Sequence, residues 1–282
     1  MISVLIVLVA ATAYALTQVK PWSVALIKVQ VKKALQAKTV TIKDLDIHIK
    51  GPIVISGLVI KKNGALDINI PRIALDKGLW ALVDGSTGTV TIASLLVAQL
   101  KLSDVHLSFW WKGTDLILHI LEGKVLSGSF KGEVVLQLLK EPSYRVNIDL
   151  VKISLPKVIH DFKLQQKLSL TGKLSGNVQV TGRGKSFTVI QGELASVDEG
   201  GELIINDTQF IKDMVKRMRL NKVTGSEELF VASLKHYLYN TATVKLRLDK
   251  KDLELDTVLD GDAGKRSFPI RYHDFSLERL GL

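Results

Sequence analysis

Residues 169–182 read SLTGKLSGNVQVTG: every even position from Leu170 to Gly182 is apolar or glycine, and every odd one from Ser169 to Thr181 is polar. A period of two sends alternate side chains to opposite faces of an extended strand, so the pattern demands one dry and one wet face. Read as a single strand, these residues span roughly 46 Å, well beyond the usual length of about five or six residues. The same period runs through most of the chain. It takes in Leu66, Ile68 and Ile70; Leu116, Leu118 and Ile120; Phe130, Gly132, Val134, Leu136 and Leu138; and Tyr144, Val146, Ile148 and Leu150. Near the end come Val244, Leu246 and Leu248, then Phe268, Ile270 and Tyr272. At the start, Val40 and Ile42 give way past Asp44 to Leu45, Ile47 and Ile49, a slip of phase that a bulge or turn requires. The pattern predicts a mainly β protein built on antiparallel sheet.

A few short helices are predicted between the strands. Residues 155–162 (LPKVIHDF) form one, and 208–220 stack Phe210, Met214 and Met218 beside Ile211 and Val215. Residues 226–239 open on a serine cap followed by two glutamates, which favour a helix N-terminus. Ahead of the sheet, Pro21 precedes Trp22, Leu26, Val29 and Leu35 at near-helical spacing, which predicts an amphipathic helix over 20–38.

The first residues, MISVLIVLVAATAYALTQVK, carry no charged side chain before Lys20. About 18 apolar residues are enough for a helix to cross a bilayer. A cleaved signal peptide is the competing reading, since Ala13 and Ala15 form an A-x-A site. The lack of Lys or Arg in the leading region favours a retained transmembrane anchor over 1–19. Lys20, Lys28, Lys32, Lys33, Lys38 and Lys43 all precede the first acid, Asp44, in a chain of net charge +10. Basic residues beside an apolar stretch point to an anionic membrane surface. Nucleic acid is not expected as a partner, because no run interleaves basic residues with aromatics. Lysines after an anchor would hold that side in the cytoplasm, yet large domains translocate regardless of such charges. The expected location is a single-pass protein of the inner membrane with its bulk in the periplasm.

Motifs of catalysis are missing from the sequence. There is no cysteine, which removes disulfides, thiolate metal sites and a cysteine nucleophile. The histidines at 48, 106, 119, 160, 236 and 273 are not at metal-ligand spacing. GRGKS at 182–186 resembles the end of a phosphate-binding loop, but Gln179 stands where that motif needs glycine. No G-x-S-x-G elbow occurs, and NDT at 206–208 is a glycosylation sequon by pattern only. The expectation is a protein without catalytic residues, metal or cofactor.

An apolar sheet face must be covered, ordinarily by helices or a second sheet. Few short helices could cover several long strands. The sheet could close as an outer-membrane barrel, but sparse aromatics and an uncleaved anchor argue against that. The alternative is a long curved sheet whose apolar face lines a groove for acyl chains. Glycine on that face would lower the groove floor and permit curvature. The candidate lipid-binding residues are Val134, Leu136, Val146, Ile148, Leu170, Leu174, Val178 and Val180. Candidates for headgroup or membrane-surface contact are Lys28, Lys32, Lys33, Lys38, Lys212, Lys216, Arg217 and Arg219.

The segment VKKALQAKTVTIKDLDIHIKGPIVISGLVI, following a membrane-spanning start and a short helix, resembles the opening of bacterial AsmA-like proteins. LDINIPRIALDKGLWALVDGSTGTVTIASLLVAQLKLSDVHLSFWWKG continues the likeness, and the strand, short helix, G-x-L-x-G and G-x-G strands and GGELIIND of residues 144–207 echo its closing part. The resemblance covers about 1–207. The expected division is an anchor (1–19), a juxtamembrane helix (20–38), an AsmA-like β-groove domain (39–207) and a C-terminal helical pair with strands (208–282). It implies an inner-membrane-anchored protein of the cell envelope that assists phospholipid transport or outer-membrane homeostasis. Its partners would be phospholipid acyl chains, the membrane and other envelope proteins. A compact relative, the N-type component of type II secretion, implies the alternative of a structural accessory to a secretion system.

Overall fold

The computed structural model describes residues 28–29, 32, 37–47, 52–62, 66–76, 85–97, 100–184, 186–198, 200–207, 209 and 235–275. The predicted transmembrane helix and the segments 208 and 210–234 lie outside these residues. Among the described residues no helix is long and apolar enough to cross a membrane. Within the predicted juxtamembrane helix, Lys28, Val29 and Lys32 are helical.

The strands are β1 (Thr39–Thr41), β2 (Asp44–Ile47), β3 (Ile53–Lys62), β4 (Leu66–Leu75), β5 (Ser86–Val97), β6 (Leu100–Lys112), β7 (Asp115–Val125), β8 (Gly128–Gln137) and β9 (Ser143–Ser154). Helix α1 (Leu155–Asp161) follows, then β10 (Leu168–Leu170), β11 (Lys173–Arg183), β12 (Ser186–Val197) and β13 (Gly201–Ile205). The last four are β14 (His236–Tyr239), β15 (Thr241–Asp249), β16 (Asp252–Gly261) and β17 (Gly264–Tyr272). Fourteen of them form one antiparallel sheet in the order β1-β3-β4-β5-β6-β7-β8-β9-β11-β12-β15-β16-β17, with β2 also on β3. The remaining three, β10-β13-β14, make a small separate sheet. The expectation of a long antiparallel sheet is met.

Buried positions in five successive strands change phase once, leaving a gap of three residues. In β3 the buried residues run Ile53, Ile55, then Leu58 and Ile60; in β4, Ile68, Ile70, then Ile73 and Leu75. In β5 they are Val90, Ile92, then Leu95; in β6, Leu102, then Val105, Leu107 and Phe109; in β7, Leu116, Leu118, then Leu121. The gaps are neighbours: Ile55↔Ile73 and Leu58↔Ile70 flank the first pair, and Ile92↔Val105 and Leu95↔Leu102 flank the third. Gly57 (φ 63°) and Asp104 (φ 51°) sit in two of them with left-handed backbone. Extra residues of this kind bend a strand and increase its twist. A line of bends therefore crosses the sheet, and the strands on either side of it put their apolar residues into one core. That core runs from Ala37 and Ile42 to Ile148 and Ile153, with Ile60, Ile68, Ile92, Leu116 and Val134 wholly inaccessible.

Three local expectations change. The continuous strand expected over 169–182 is broken: Thr171 and Gly172 separate β10, in the small sheet, from β11, in the large one. Gly172 has φ 104°, which only glycine adopts readily, and the turn it makes hands the chain from one sheet to the other. The alternation Leu116, Leu118, Ile120 slips to Leu121, where β7 and β8 shift register. Residues 236–239, expected at the end of a helix, form β14, because Tyr237 and Tyr239 alternate into a core. The helix expected over 155–162 is present as α1, capped by the Ser154 hydroxyl accepting from the Lys157 amide.

Truncating the closed part of the core should cost far more than truncating its continuation toward the C-terminus. Leu116→Ala in β7 removes a wholly buried side chain and should lower stability by about 3 kcal/mol. Leu246→Ala in β15, half-exposed, should cost about 1 kcal/mol. Denaturant midpoints of the two variants check this, and equal losses would contradict it.

Candidate functional site

The C-terminal strands carry an apolar row that crosses the sheet at right angles to the chain. Ile148 of β9 pairs with Val178 of β11, Val178 with Gly192 of β12, Gly192 with Leu246 of β15, and Leu246 with Leu255 of β16. A second row lies beside it: Leu150, Gly176, Leu194 and Val244. Ile148 is 8% exposed, while Val178, Leu194, Val244, Leu246 and Leu255 are only partly buried, Leu194 and Val244 against the small-sheet core. The dry face is thus covered over β3–β9 and only partly covered from β11 onward.

The half-exposed strip has buried margins. On one side, Leu174, Ala242 and Leu259 of the large sheet pack with Leu203, Ile205, Tyr237 and Tyr239 of the small one. On the other, Ile190 and Leu253 are buried. Beyond them the Phe187 ring stacks on Phe275 at 5.4 Å and meets Tyr144 edge-on at 6.4 Å. The Phe275 amide donates to the Lys251 carbonyl, so the chain leaving β17 crosses the β15–β16 turn to reach a strand three places away.

Glycine in these rows does not leave open space. A Cβ at Gly176 would lie 2.0 Å from the Glu193 carbonyl oxygen, and one at Gly132 2.2 Å from that of Asn147. The neighbouring backbone fills the position, so these glycines permit close, strongly coiled strands, the curvature role rather than the lowered floor.

The opposite face of the same strands is an ordered polar ladder. The Asn177 amide donates to Asn147 and to Asp149, both at 2.8 Å, and Gln191 donates to Gln179 at 2.7 Å. Further along, Glu254 accepts from Arg247 at 2.7 Å and from Arg271. The Arg247 guanidinium foremost, with Arg271 adding to it, holds the Glu254 carboxyl below its ordinary range. Cross-strand pairs of this type stabilise a sheet on its wet side.

The sequence-predicted lipid contacts therefore separate. Val134, Leu136, Val146 and Ile148 belong to the large core, against which Val180 packs half-buried. Leu174 is buried and Leu170 half-buried in the small-sheet core. Val178 stands in the half-exposed row. Of the predicted cationic contacts, Lys28 is half-buried and Lys32 and Lys38 are exposed. Lys33, Lys212, Lys216, Arg217 and Arg219 lie outside the described residues. The row's partners Leu194, Val244, Leu246 and Leu255 were not among the candidates, although the alternation over 244–248 carried the signal. Among the described residues no group of three or more His, Asp or Glu side chains could hold a metal ion.

Comparison with protein-family models, curated proteins and solved structures finds no match for this chain.

Tyr239 ties the small sheet to the large one. It is 2% exposed, its hydroxyl donates to the Thr171 carbonyl at the break before β11, and burial pushes its pKa up to about 12. A phenol that stays protonated in the folded state and ionises near 10 when unfolded contributes stability that is complete below pH 10 and is lost as the pH rises toward 12. The loss from this one group should reach roughly 2 kcal/mol, read as a fall in denaturant midpoint from about pH 9, below the unfolded ionisation, to about pH 11.5, short of the folded one. Tyr239→Phe should be less stable at neutral pH but flatter over that range. An unchanged slope in the variant would contradict this role.

Proposed function

We propose that the protein is a membrane-anchored lipid-binding component of the cell envelope that shelters an acyl chain against the half-exposed apolar row of β11, β12, β15 and β16. The reading is carried by one observation: the dry face of the long sheet is fully buried over β3–β8 yet remains half-exposed along Val178, Leu246 and Leu255. In this reading the curved sheet is a groove filled by its own side chains at one end. It opens toward the C-terminal strands, where Val178, Leu194, Val244, Leu246 and Leu255 would touch lipid. Val134, Leu136, Val146 and Ile148 would form the packed wall behind them.

The mechanism is solvation. Each methylene removed from water contributes about 0.8 kcal/mol, so an apolar strip of this kind holds a lipid tail outside a bilayer without any covalent step. The apolar N-terminal sequence would keep the protein at the inner membrane with the sheet in the periplasm, placed to assist phospholipid movement or outer-membrane homeostasis.

Native mass spectrometry and solvent extraction of the purified chain should return bound phospholipid. Val178→Asp or Leu255→Asp, each placing a carboxylate in the strip, should reduce it about tenfold or more, since an unpaired charge is expelled from apolar surroundings. A chain free of lipid, or variants that retain it in full, would overturn the proposal.

A further inference from the structure

A cation stands on the dry face of the large sheet, near its C-terminal corner. Arg266 of β17 pairs with Leu259 of β16, and residues directly opposite one another share a face of the sheet. Leu259 is buried in the small-sheet core, so Arg266 lies on the apolar side. Its chain neighbours Lys265 and Ser267 are exposed, as alternation requires. The Arg266 guanidinium lies over the Tyr237 ring, with Cζ 5.4 Å from the centroid. Tyr237 is itself fixed, 2% exposed with its hydroxyl donating to the Gly264 carbonyl.

The ring attracts the charge, but the hydrogen-bonding capacity of the group is largely unused. A guanidinium donates from Nε and from both Nη atoms and accepts nothing. One Nη donates to the Lys265 carbonyl at 3.1 Å. Nε is buried and has no acceptor among the described residues. Nor does any described carboxylate pair with Arg266. Of the nearby acids, Asp260 takes Lys265 at 3.4 Å and Asp262 accepts from the Asn240 amide at 2.9 Å. On the wet face, by contrast, Arg247 and Arg271 share Glu254. A partly buried cation with an unsatisfied donor costs stability. Its planar fork of donors is the shape that grips a phosphate.

The position of Arg266 relates it to the apolar strip. On β16, Thr257 pairs with Val244 of the second row and Leu255 with Leu246 of the first, and both Thr257 and Leu255 are partly buried. Arg266, level with Leu259, therefore lies roughly 7 Å along the strands from the second row and roughly 13 Å from the first. β17 is the last strand of the large sheet among the described residues. A tail lying on the strip and leaving it toward β17 brings its glycerol phosphate to this corner.

We propose that Arg266 is the headgroup site of the strip: its guanidinium, steadied on Tyr237, binds the phosphate of the lipid whose tail lies against Val178, Val244, Leu246 and Leu255. The inference rests on the reading of the strip as an acyl-chain site and names the lipid class it takes, one with a phosphate at the glycerol. Lipids with the same tails and no phosphate leave the buried donor unsatisfied and are discriminated against.

The test compares phosphatidic acid with diacylglycerol of the same acyl chains, which differ only in the phosphate. Each is titrated into the full chain in detergent micelles and read by native mass spectrometry. The unaltered chain should prefer phosphatidic acid about tenfold or more, the contribution of charge-assisted hydrogen bonds to one group. Arg266→Met, which keeps an unbranched stem and loses the charge, should abolish the preference and still take diacylglycerol. Arg266→Lys should retain only part of it, since an ammonium lacks the fork. Equal binding of the two lipids by the unaltered chain, a comparison that needs no variant, overturns the headgroup site and leaves the strip reading standing. Full preference in Arg266→Met overturns it as well. A chain that binds neither lipid overturns both readings. Inorganic phosphate separates the remaining source: broadening of its phosphorus NMR line that depends on Arg266 and persists when phosphatidic acid is added would assign the corner to a free anion and overturn the proposal.

Discussion

A sheet with one dry face has to hide that face, and in this chain the sheet is far larger than anything described that could cover it. The three-stranded sheet packs only against Leu174, Ala242, Leu259 and their neighbours. Among the described residues, the large core is instead furnished by the segment from Ala37 to Ile153 itself, largely β3–β9, through strands that bend where the buried positions skip a residue. Gly57 and Asp104 supply the left-handed backbone for two of those skips. Everything else follows from how far that self-covering extends along the strand order.

It extends fully to β9 and partially beyond. Ile148 is buried, whereas its row-mates Val178, Leu246 and Leu255 on β11, β15 and β16 are only partly buried. The small sheet closes one margin of the open strip, tethered by Tyr239 to Thr171 and by Tyr237 to the Gly264 carbonyl. The stacked rings of Phe187 and Phe275 close the other. The wet face of the same strands is bonded across from Asn147 to Arg271, so these strands are held in register from outside while their inner row stays open.

Much of this was legible in the sequence, because a period of two is a direct record of which face each residue occupies. The antiparallel sheet, α1 and the side on which Val134, Val146 and Val178 lie were all readable that way. The breaks were not. Gly172 looks identical to Gly176 in the pattern SLTGKLSGNVQVTG, yet one turns the chain between sheets at φ 104° and the other sits in β11 against the backbone of β12. Alternation also cannot say whether an apolar position is buried by its own sheet or left half-open. That depends on pairings as distant as Ser196 with Ala242, whose amide donates to the serine hydroxyl. The HYLY stretch was misread because helix signals upstream were extended over residues that pair with β13.

The central claim is that one strip of the dry face, and not the whole of it, meets a lipid tail. Photo-crosslinking with a phospholipid carrying a diazirine in its acyl chain, followed by peptide mapping, tests this most directly. The account predicts adducts on Gly176, Val178, Gly192, Leu194, Val244, Leu246 and Leu255, the residues of the two rows on β11, β12, β15 and β16. Adducts spread over the buried residues of β3–β8, or confined to the polar ladder of Asn177, Gln179 and Gln191, would contradict it.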